Sequence, residues 1–290
     1  MEQSAHEHTD RRKKGTLYVV ATPIGNLGDV SARALDVLKT VDTIAAEDTR
    51  ITARLLDHYG IRRRLVSLHE HNERSRVEQV LGHLAAGSSI ALVSDAGTPA
   101  ISDPGAHVVA AALEAGYAVV PVPGANAAIA ALSASGLAAD HFLFYGFLPS
   151  RRGERTTALA AVANLPYALV FYEAPHRVSD SIEDMCAVLG PDRTLVLARE
   201  LTKRFETIHV CRLGAAAEWL AADPHRLLGE FVLVVTGAAS APSAGEAQAR
   251  TVLEVLLAEL PLRQAVALAA RITGGRRNEL YEMALRMKGE

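Results

Sequence analysis

Apolar residues along this chain fall into short runs that alternate with stretches of helical period. Residues 17–21 (LYVVA) form an apolar, β-branched run stopped by Thr22-Pro23, which reads as a buried strand and a turn. Residues 30–41 follow with apolar side chains at Val30, Ala34, Val37, Leu38 and Val41, the spacing of one helix face. The two patterns then repeat. Strands are predicted at 43–46, 65–67, 89–93 and 118–122, and helices at 49–59, 74–86 and 105–115, closed by Gly60, Gly87 and Gly116. Strand and helix in alternation with short links predict a parallel, doubly wound α/β sheet.

Beyond Pro123 the pattern changes. A helix is predicted at 127–135, then strands near 142–145, 168–172, 194–198, 207–211 and 231–235, with helices between some of them. Residues 200–210 carry no helical period, so the strands on either side are expected to form a hairpin and the second sheet to be mixed in direction. The run GAASAPSAG at 237–245 reads as a flexible linker, and helical patterns at 248–260, 261–272 and 278–287 predict a small helical subdomain. The expected organisation is a tail at 1–14, an N-terminal α/β domain at 15–122, a mixed α/β domain at 123–240, and a linker with helical subdomain at 241–290.

Composition narrows the function classes. Of 290 residues, 49% are hydrophobic and 22% charged, enough apolar material for a core and too much for a disordered chain. The net charge of −3 gives no global positive field, so any nucleic-acid contact needs a local basic patch. Aromatics at 5% argue against a stacking platform for single strands. Only Cys186 and Cys211 are present, which excludes a disulfide framework and a cysteine zinc site and suits a cytoplasmic protein with reduced thiols. The first fourteen residues are polar and lack the apolar core of a signal peptide, and no apolar run is long enough to span a bilayer, so no membrane partner is expected.

Candidate chemistry sits where the predicted strands end. Residues 21–29 (ATPIGNLGD) form a Gly-rich turn after the first strand, the place where open α/β sheets bind ligands, yet they match neither G-x-G-x-x-G nor a P-loop. Glu47-Asp48-Thr49-Arg50 closes the second strand; an acidic residue there suits a ribose, and Asp48 or Thr49 also suits a helix N-cap. Residues 94–105 (SDAGTPAISDPG) pack small residues, two Asp-containing turns and two prolines after the strongest strand, a density beyond a mere connector. Residues 121–126 (PVPGAN) add a further Gly/Pro-rich loop on the same sheet edge. Farther on, residues 171–177 (FYEAPHR) bring Glu173, His176 and Arg177 together at a strand terminus, and residues 197–206 (LARELTKRFE) offer Arg199, Lys203 and Arg204. Arginines also cluster at Arg62, Arg63 and Arg64, at Arg151, Arg152 and Arg155 in a loop after Pro149, and at Arg271, Arg276 and Arg277. His69-Glu70-His71 has no third ligand at metal spacing, so no metal is expected.

Taken in order, TPIGNLGDVS, AAEDTR, LVSDAGTPAISDPG, VPVPGANA, FLPSRRGER, FYEAPHR and RELTKRFE resemble the ribosomal RNA small subunit methyltransferase I family of the tetrapyrrole methylase superfamily. The resemblance covers residues 15–237, and GGRRNELYEMAL in the tail is in keeping with it. It implies a two-domain class III methyltransferase fold, with a parallel N-terminal sheet, a mixed C-terminal sheet and a small helical tail. It further implies S-adenosylmethionine as methyl donor, the 16S rRNA of the small ribosomal subunit as partner, a decoding-centre cytidine 2′-hydroxyl as target, and a homodimer. Carried over residue by residue, Pro23 and Asp29 match the first loop. Asp95, Ala96, Gly97 and Thr98 match the loop that fits the methionine end of the donor, and Ile101 its apolar wall. Pro123, Gly124, Ala125 and Asn126 match the inter-domain loop, and Phe171 and Tyr172 the adenine side.

A poorly acidic hydroxyl calls for a base, for which Asp95, Glu173 and His176 are the candidates; Asp95 could instead steady the sulfonium. Arg62, Arg63, Arg64, Arg151, Arg152, Arg155, Lys203 and Arg204 are the candidate RNA contacts. Two rivals stay open: a methyltransferase acting on a tetrapyrrole, and an rRNA-binding assembly factor without turnover.

Overall fold

A computed structural model of the chain describes residues 15–69, 72–137, 139–238 and 244–288; the expected tail at 1–14 and the middle of the expected linker, 239–243, lie outside the described residues. The chain divides into two compact units after Gly237.

The first unit holds two five-stranded sheets. Strands β1 (Thr16–Val20), β2 (Thr43–Ala46), β3 (Arg64–Ser67), β4 (Ile90–Val93) and β5 (Ala118–Val122) form the first. Their order is β3-β2-β4-β1-β5, and every pairing is parallel. A parallel sheet is buried on both faces, and accordingly every residue of β2 and β4 is buried. Helices α1 (Ala32–Thr40) and α2 (Thr49–His58) set Leu38 and Leu56 against Ile44 and Val93 on one face. Helices α3 (Glu73–Ala85) and α4 (Ala106–Glu114) set Leu84 and Val108 against Leu17 and Leu92 on the other. Polar residues of the connecting loops start the helices. Ser31 accepts from Ala34 N at 3.1 Å for α1, and Asp48 accepts from Arg50 N at 2.8 Å for α2.

Helix α5 (Ala127–Ala134) leads to the second sheet: β6 (Phe142–Phe147), β7 (Ala168–Glu173), β8 (Thr194–Arg199), β9 (Thr207–Arg212) and β10 (Phe231–Val235). The order is β6-β7-β10-β8-β9; β6 and β7 are parallel, the other pairs antiparallel, and β8 and β9 form the predicted hairpin. Helices α6 (Arg152–Val162), α7 (Val178–Leu189) and α8 (Ala216–Ala221) cover one face, around Phe171, Leu197 and Leu233. The opposite face carries Val170, Val196, Ala198 and Tyr172, packed against α5 and Ile24.

Residues 151–155, expected as a loop, open helix α6, and this changes what one arginine does. Arg155, Leu159 and Val162 share the buried face of α6. Arg155 is therefore 4% exposed, pairs with the equally buried Asp184 of α7 at 2.6 Å, and donates to Ser150 O at 3.0 Å. It is a structural strut, not the RNA contact expected of it. Arg151 and Arg152 remain on the surface, Arg152 reaching Asp184 from the solvent side at 3.0 Å.

The second unit consists of α9 (Ala244–Glu259), α10 (Leu262–Thr273) and α11 (Arg277–Lys288), packed around Leu253, Val266, Ala269, Leu280 and Ala284. Helix α9 begins inside the expected linker. Gly274, at φ +72°, ends α10 in the left-handed conformation that glycine adopts without strain.

Removing Arg155 leaves the Asp184 carboxylate buried without its main partner. Arg155→Ala should cost about 3–5 kcal/mol of unfolding free energy by urea titration, while Arg151→Ala, at an exposed pair, should stay within about 0.5 kcal/mol. Equal effects at the two positions would remove Arg155 from the core.

Candidate active-site cleft

Parallel pairing sends the loops after β1, β2, β4 and β5 out of one edge of the first sheet, and hydrogen bonds lace them together there. Thr22 and Gly97 exchange both backbone bonds, Thr22 N to Gly97 O at 2.8 Å and Gly97 N to Thr22 O at 3.1 Å. The buried Thr22 hydroxyl donates to Ser94 O at 3.1 Å. Thr98 Oγ1 donates to Ala125 O at 3.2 Å, which ties in the loop after β5. Asp95 N donates to Glu47 Oε2 at 3.2 Å and Asp48 N to Asp95 Oδ1 at 2.9 Å, which ties in the loop after β2. At its far end the 94–105 loop runs into α4, whose first amides Gly105 N and His107 N both donate to the buried Glu73 carboxylate of α3, at 3.0 and 2.8 Å. Between these anchors Ala100 and Ser102 both sit at φ +65°, a conformation that costs non-glycine residues energy and that clusters at functional sites.

The laced loops and the second sheet enclose a cavity of about 530 Å³, within the usual range for small-molecule sites. Ile24, Glu47, Asp95, Ala96, Gly97, Thr98, Ile101, Ser102 and Asp103 line it from the first sheet's edge. Asn126, Phe147, Tyr172, His176, Leu201 and Val232 line it from α5 and the second sheet. A smaller cavity of about 330 Å³ adjoins it, sharing Ile24, Asp95 and Ala96 and bounded by Pro23 and Lys203.

Several predicted donor-site residues thus meet: Asp95, Ala96, Gly97, Thr98, Ile101, Asn126 and Tyr172. Asn126 also caps α5, its Oδ1 accepting from Ile129 N at 3.1 Å. Others stand apart. Asp29 is exposed on a short turn. Gly124 lets its loop press on the first strand's end: an added Cβ would lie 2.8 Å from Ala21 Cβ. Ala125 is tied into the same brace through Thr98, and Pro123 is exposed beside it.

Strand alternation splits Phe171-Tyr172-Glu173 between the two faces of the sheet. Tyr172 faces the cavity, whereas Phe171 is fully buried in the core beneath α7 and does not line it. Glu173 shares the face of Phe171, and its carboxylate accepts from Ser181 Oγ at 2.5 Å and Ala174 N at 2.8 Å and pairs with Arg177 at 3.3 Å. So bound, both its oxygens are committed to the protein's own donors. All three candidate bases border the cavity, Asp95 with one oxygen accepting from Asp48 N at 2.9 Å and Glu173 bound as described.

Of the candidate RNA contacts, Arg62, Arg63, Arg64 and Arg204 are exposed. Lys203 is held between Glu200 at 2.8 Å and Glu230 at 2.9 Å and lies against Gly25. Its charge is neutralised in place and is not presented to a phosphate. His69 packs with Asn72, and Glu70 and His71 lie outside the described residues.

The sequence passed over Asp103, although its loop stood out. Burial pushes the Asp103 carboxyl up to about 6, and the neighbouring Glu47 and Asp95 carboxylates push the same way. Burial likewise raises Glu47. With Asp95, Glu173 and Glu230, five acidic residues border the cavity, and among the described residues that line it none is Lys or Arg.

The family model described as Tetrapyrrole (Corrin/Porphyrin) Methylases matches residues 16–217, and one described as RsmI C-terminal HTH domain matches residues 243–288. The chain belongs to the tetrapyrrole methylase family. Within it, the chain is 52% identical over 284 residues to the ribosomal RNA small subunit methyltransferase I of Escherichia coli O157:H7, covering 98% of this chain and 99% of that one. It is 53% identical over 279 residues to the protein of the same name from Pseudomonas aeruginosa, covering 95% and 99%. Among solved structures, the methyltransferase CobJ shares the fold at a TM-score of 0.58 and 21% identity, over 78% of this chain and 95% of that one. Uroporphyrin-III-C-methyltransferase from Thermus thermophilus does so at 0.55 and 19%, over 77% and 94%.

The methyl donor of tetrapyrrole methylases is S-adenosylmethionine. Its sulfonium and ammonium are both cationic, and the cleft's charge suits them: carboxylates that include Glu47, Asp95 and Asp103, with no lysine or arginine among the described lining residues. The same charge is hostile to a pyrophosphate cofactor. Gly97, at φ +80° in the floor, brings the main chain up to the ligand space.

The raised Asp103 carboxyl has a consequence for stability. The unfolded chain ionises this group near about pH 4, the native one near about 6, so its contribution is present in acid and lost as pH rises through that window. Asp103→Asn should therefore melt above the parent at about pH 8 and alongside it at about pH 4. A constant difference in Tm at both pH values would count against the assignment.

Proposed function

We propose that this chain methylates the 2′-hydroxyl of a decoding-centre cytidine in 16S rRNA of the small ribosomal subunit, acting in the cytoplasm as a homodimer. The observation that carries the methyl-transfer half is the acidic cleft at the laced strand ends. The RNA half draws on relatives about half identical over nearly the full chain, named as ribosomal RNA small subunit methyltransferases, and on exposed arginines at 62, 63, 64, 151 and 152.

S-adenosylmethionine, when bound, supplies a methyl group on a positively charged sulfur. Asp95 to Thr98, Ile101, Asn126 and Tyr172 would hold it, and Glu47 and Asp95 favour its positive charge. The rest of the work is placement and proton removal. A ribose hydroxyl keeps its proton near neutral pH and must release it as its oxygen gains the methyl. Asp103 is the group we assign to take that proton, because it faces the cavity half-buried and, unlike Glu173, has no cation bound to it. A carboxyl poised at about 6 is ionised at neutral pH, yet still a better base than an ordinary aspartate. The outer arginines give the RNA backbone salt-sensitive contacts.

The test is transfer from labelled S-adenosylmethionine to small subunits purified from cells lacking this protein, with the product mapped by nuclease digestion and mass spectrometry. One 2′-O-methylcytidine is expected; label on a base or on no RNA overturns the reading. Asp103→Asn should lower kcat by roughly 10²- to 10⁴-fold with donor affinity retained, and the parent's rate should fall as pH drops through about 6. Arg62→Glu and Arg151→Glu should raise KM for subunits and flatten its salt dependence without moving donor affinity.

A further inference from the structure

Strand β6 contains an irregularity that places one aromatic ring. In its pairing with β7, Phe144 lies opposite Val170, Gly146 opposite Phe171 and Phe147 opposite Tyr172, so Tyr145 is an extra residue in a β-bulge. Side chains alternate strictly along a strand, so one added residue reverses the face of everything after it. Without the bulge Phe147 would follow Leu143 and Tyr145 onto the α7 side. With it, Phe147 joins Phe144 and Tyr172 on the cavity side, and Leu148 returns to the core. The bulge turns on Gly146, at φ +80°, where an added Cβ would lie 2.7 Å from Ser102 Oγ. The strained 94–105 loop and the bulge therefore fit against each other.

The ring so delivered is unusual for an aromatic in a site wall: Phe147 lines the cavity and is 52% exposed. The Tyr172 ring stands 5.6 Å away at 66°, itself supported by Phe144 at 4.9 Å and fixed by its hydroxyl, which accepts from Ala128 N at 3.3 Å. The connection after β6 then carries two exposed guanidinium groups, Arg151 and Arg152, within five residues. A braced aromatic ring at a cavity mouth, followed by exposed arginines, is the combination that receives an unstacked base together with its backbone.

We propose that Phe147 is the platform on which the base of the acceptor nucleotide stacks once it is turned out of its RNA. This deepens the proposed function and rests on it. An enzyme reaching the ribose of a structured RNA must unstack that nucleotide and replace what the base loses. Phe147 supplies the replacement at the edge of the cavity that holds Asp103. The low aromatic content argues only against a multi-ring platform; one ring serves one base.

Two variants separate stacking from packing. Phe147→Leu keeps apolar bulk and removes the π face; Phe147→Trp keeps a π face. With small subunits as substrate, Phe147→Leu should lose roughly 5- to 150-fold in kcat/KM, the range of one base–aromatic stack. Phe147→Trp should stay near the parent, and both should bind S-adenosylmethionine as the parent does by calorimetry. Parent-like transfer by Phe147→Leu overturns the platform, and so does an equal loss in both variants, which would mean packing. A parent chain that labels no RNA while binding the donor overturns the substrate reading itself, a result distinct from either.

Discussion

Two backbone hydrogen bonds between Thr22 and Gly97 hold the site together. Loops at the ends of parallel strands have no ladder of their own, and each would otherwise exchange its amides with water. Here the first and third loops pair like a short piece of sheet, and the Thr98 and Asp95 contacts bring in the other two. The 94–105 loop is then gripped at its far end, where the Glu73 carboxylate collects the first amides of α4. A segment so anchored can keep Ala100 and Ser102 at positive φ, because the surroundings over-determine its path.

Charge decides what such a cradle accepts. Strand-end loops in α/β proteins often take phosphates, through helix N-termini and glycine amides. In this chain the helix ends are already occupied. Asp48 caps α2, Asn126 caps α5 and Glu73 caps α4, so their amides are turned to the protein's own oxygens. What remains facing the cavity is acidic. One fold edge that elsewhere suits anions is thereby made a place for a sulfonium, and the burial that excludes water also raises Asp103 and Glu47.

The second sheet contributes by parity. Period-two alternation turns Tyr172 to the cleft and Glu173 to α7, where Ser181 donates to it and Arg177 pairs with its charge. A single inserted residue in β6 reverses that alternation and brings Phe147 to the same face as Tyr172. Buried ion pairs such as Arg155–Asp184 hold α6 and α7 on the far side of the sheet. Their removal is costly even though a buried pair adds little net stability, because each partner alone would be a stranded charge.

The sequence by itself determined the elements and the lower edge of the site. Apolar runs and helical periods are local, so β1 to β5 and the helices between them were legible within a residue or two, as were the β8–β9 hairpin and the last two tail helices, while α9 began four residues before its expected start. Loops dense in Gly, Pro and Asp were legible too, and with them Asp95 to Thr98, Ile101 and Asn126 at the cavity. Tertiary structure alone decided which face each strand residue took. Alternation is visible in a sequence, but its sign is set by what packs on each side, so Phe171 and Glu173 of β7 turned inward against expectation, as did Arg155 on the buried face of α6. Nor does a β-bulge show in the residues, since it is a mismatch between two strands and not a property of either; the position of Phe147 waited on it. Asp103 was visible as a residue and not as a base, because its shift comes from burial and from carboxylates 8 and 56 positions away in the chain.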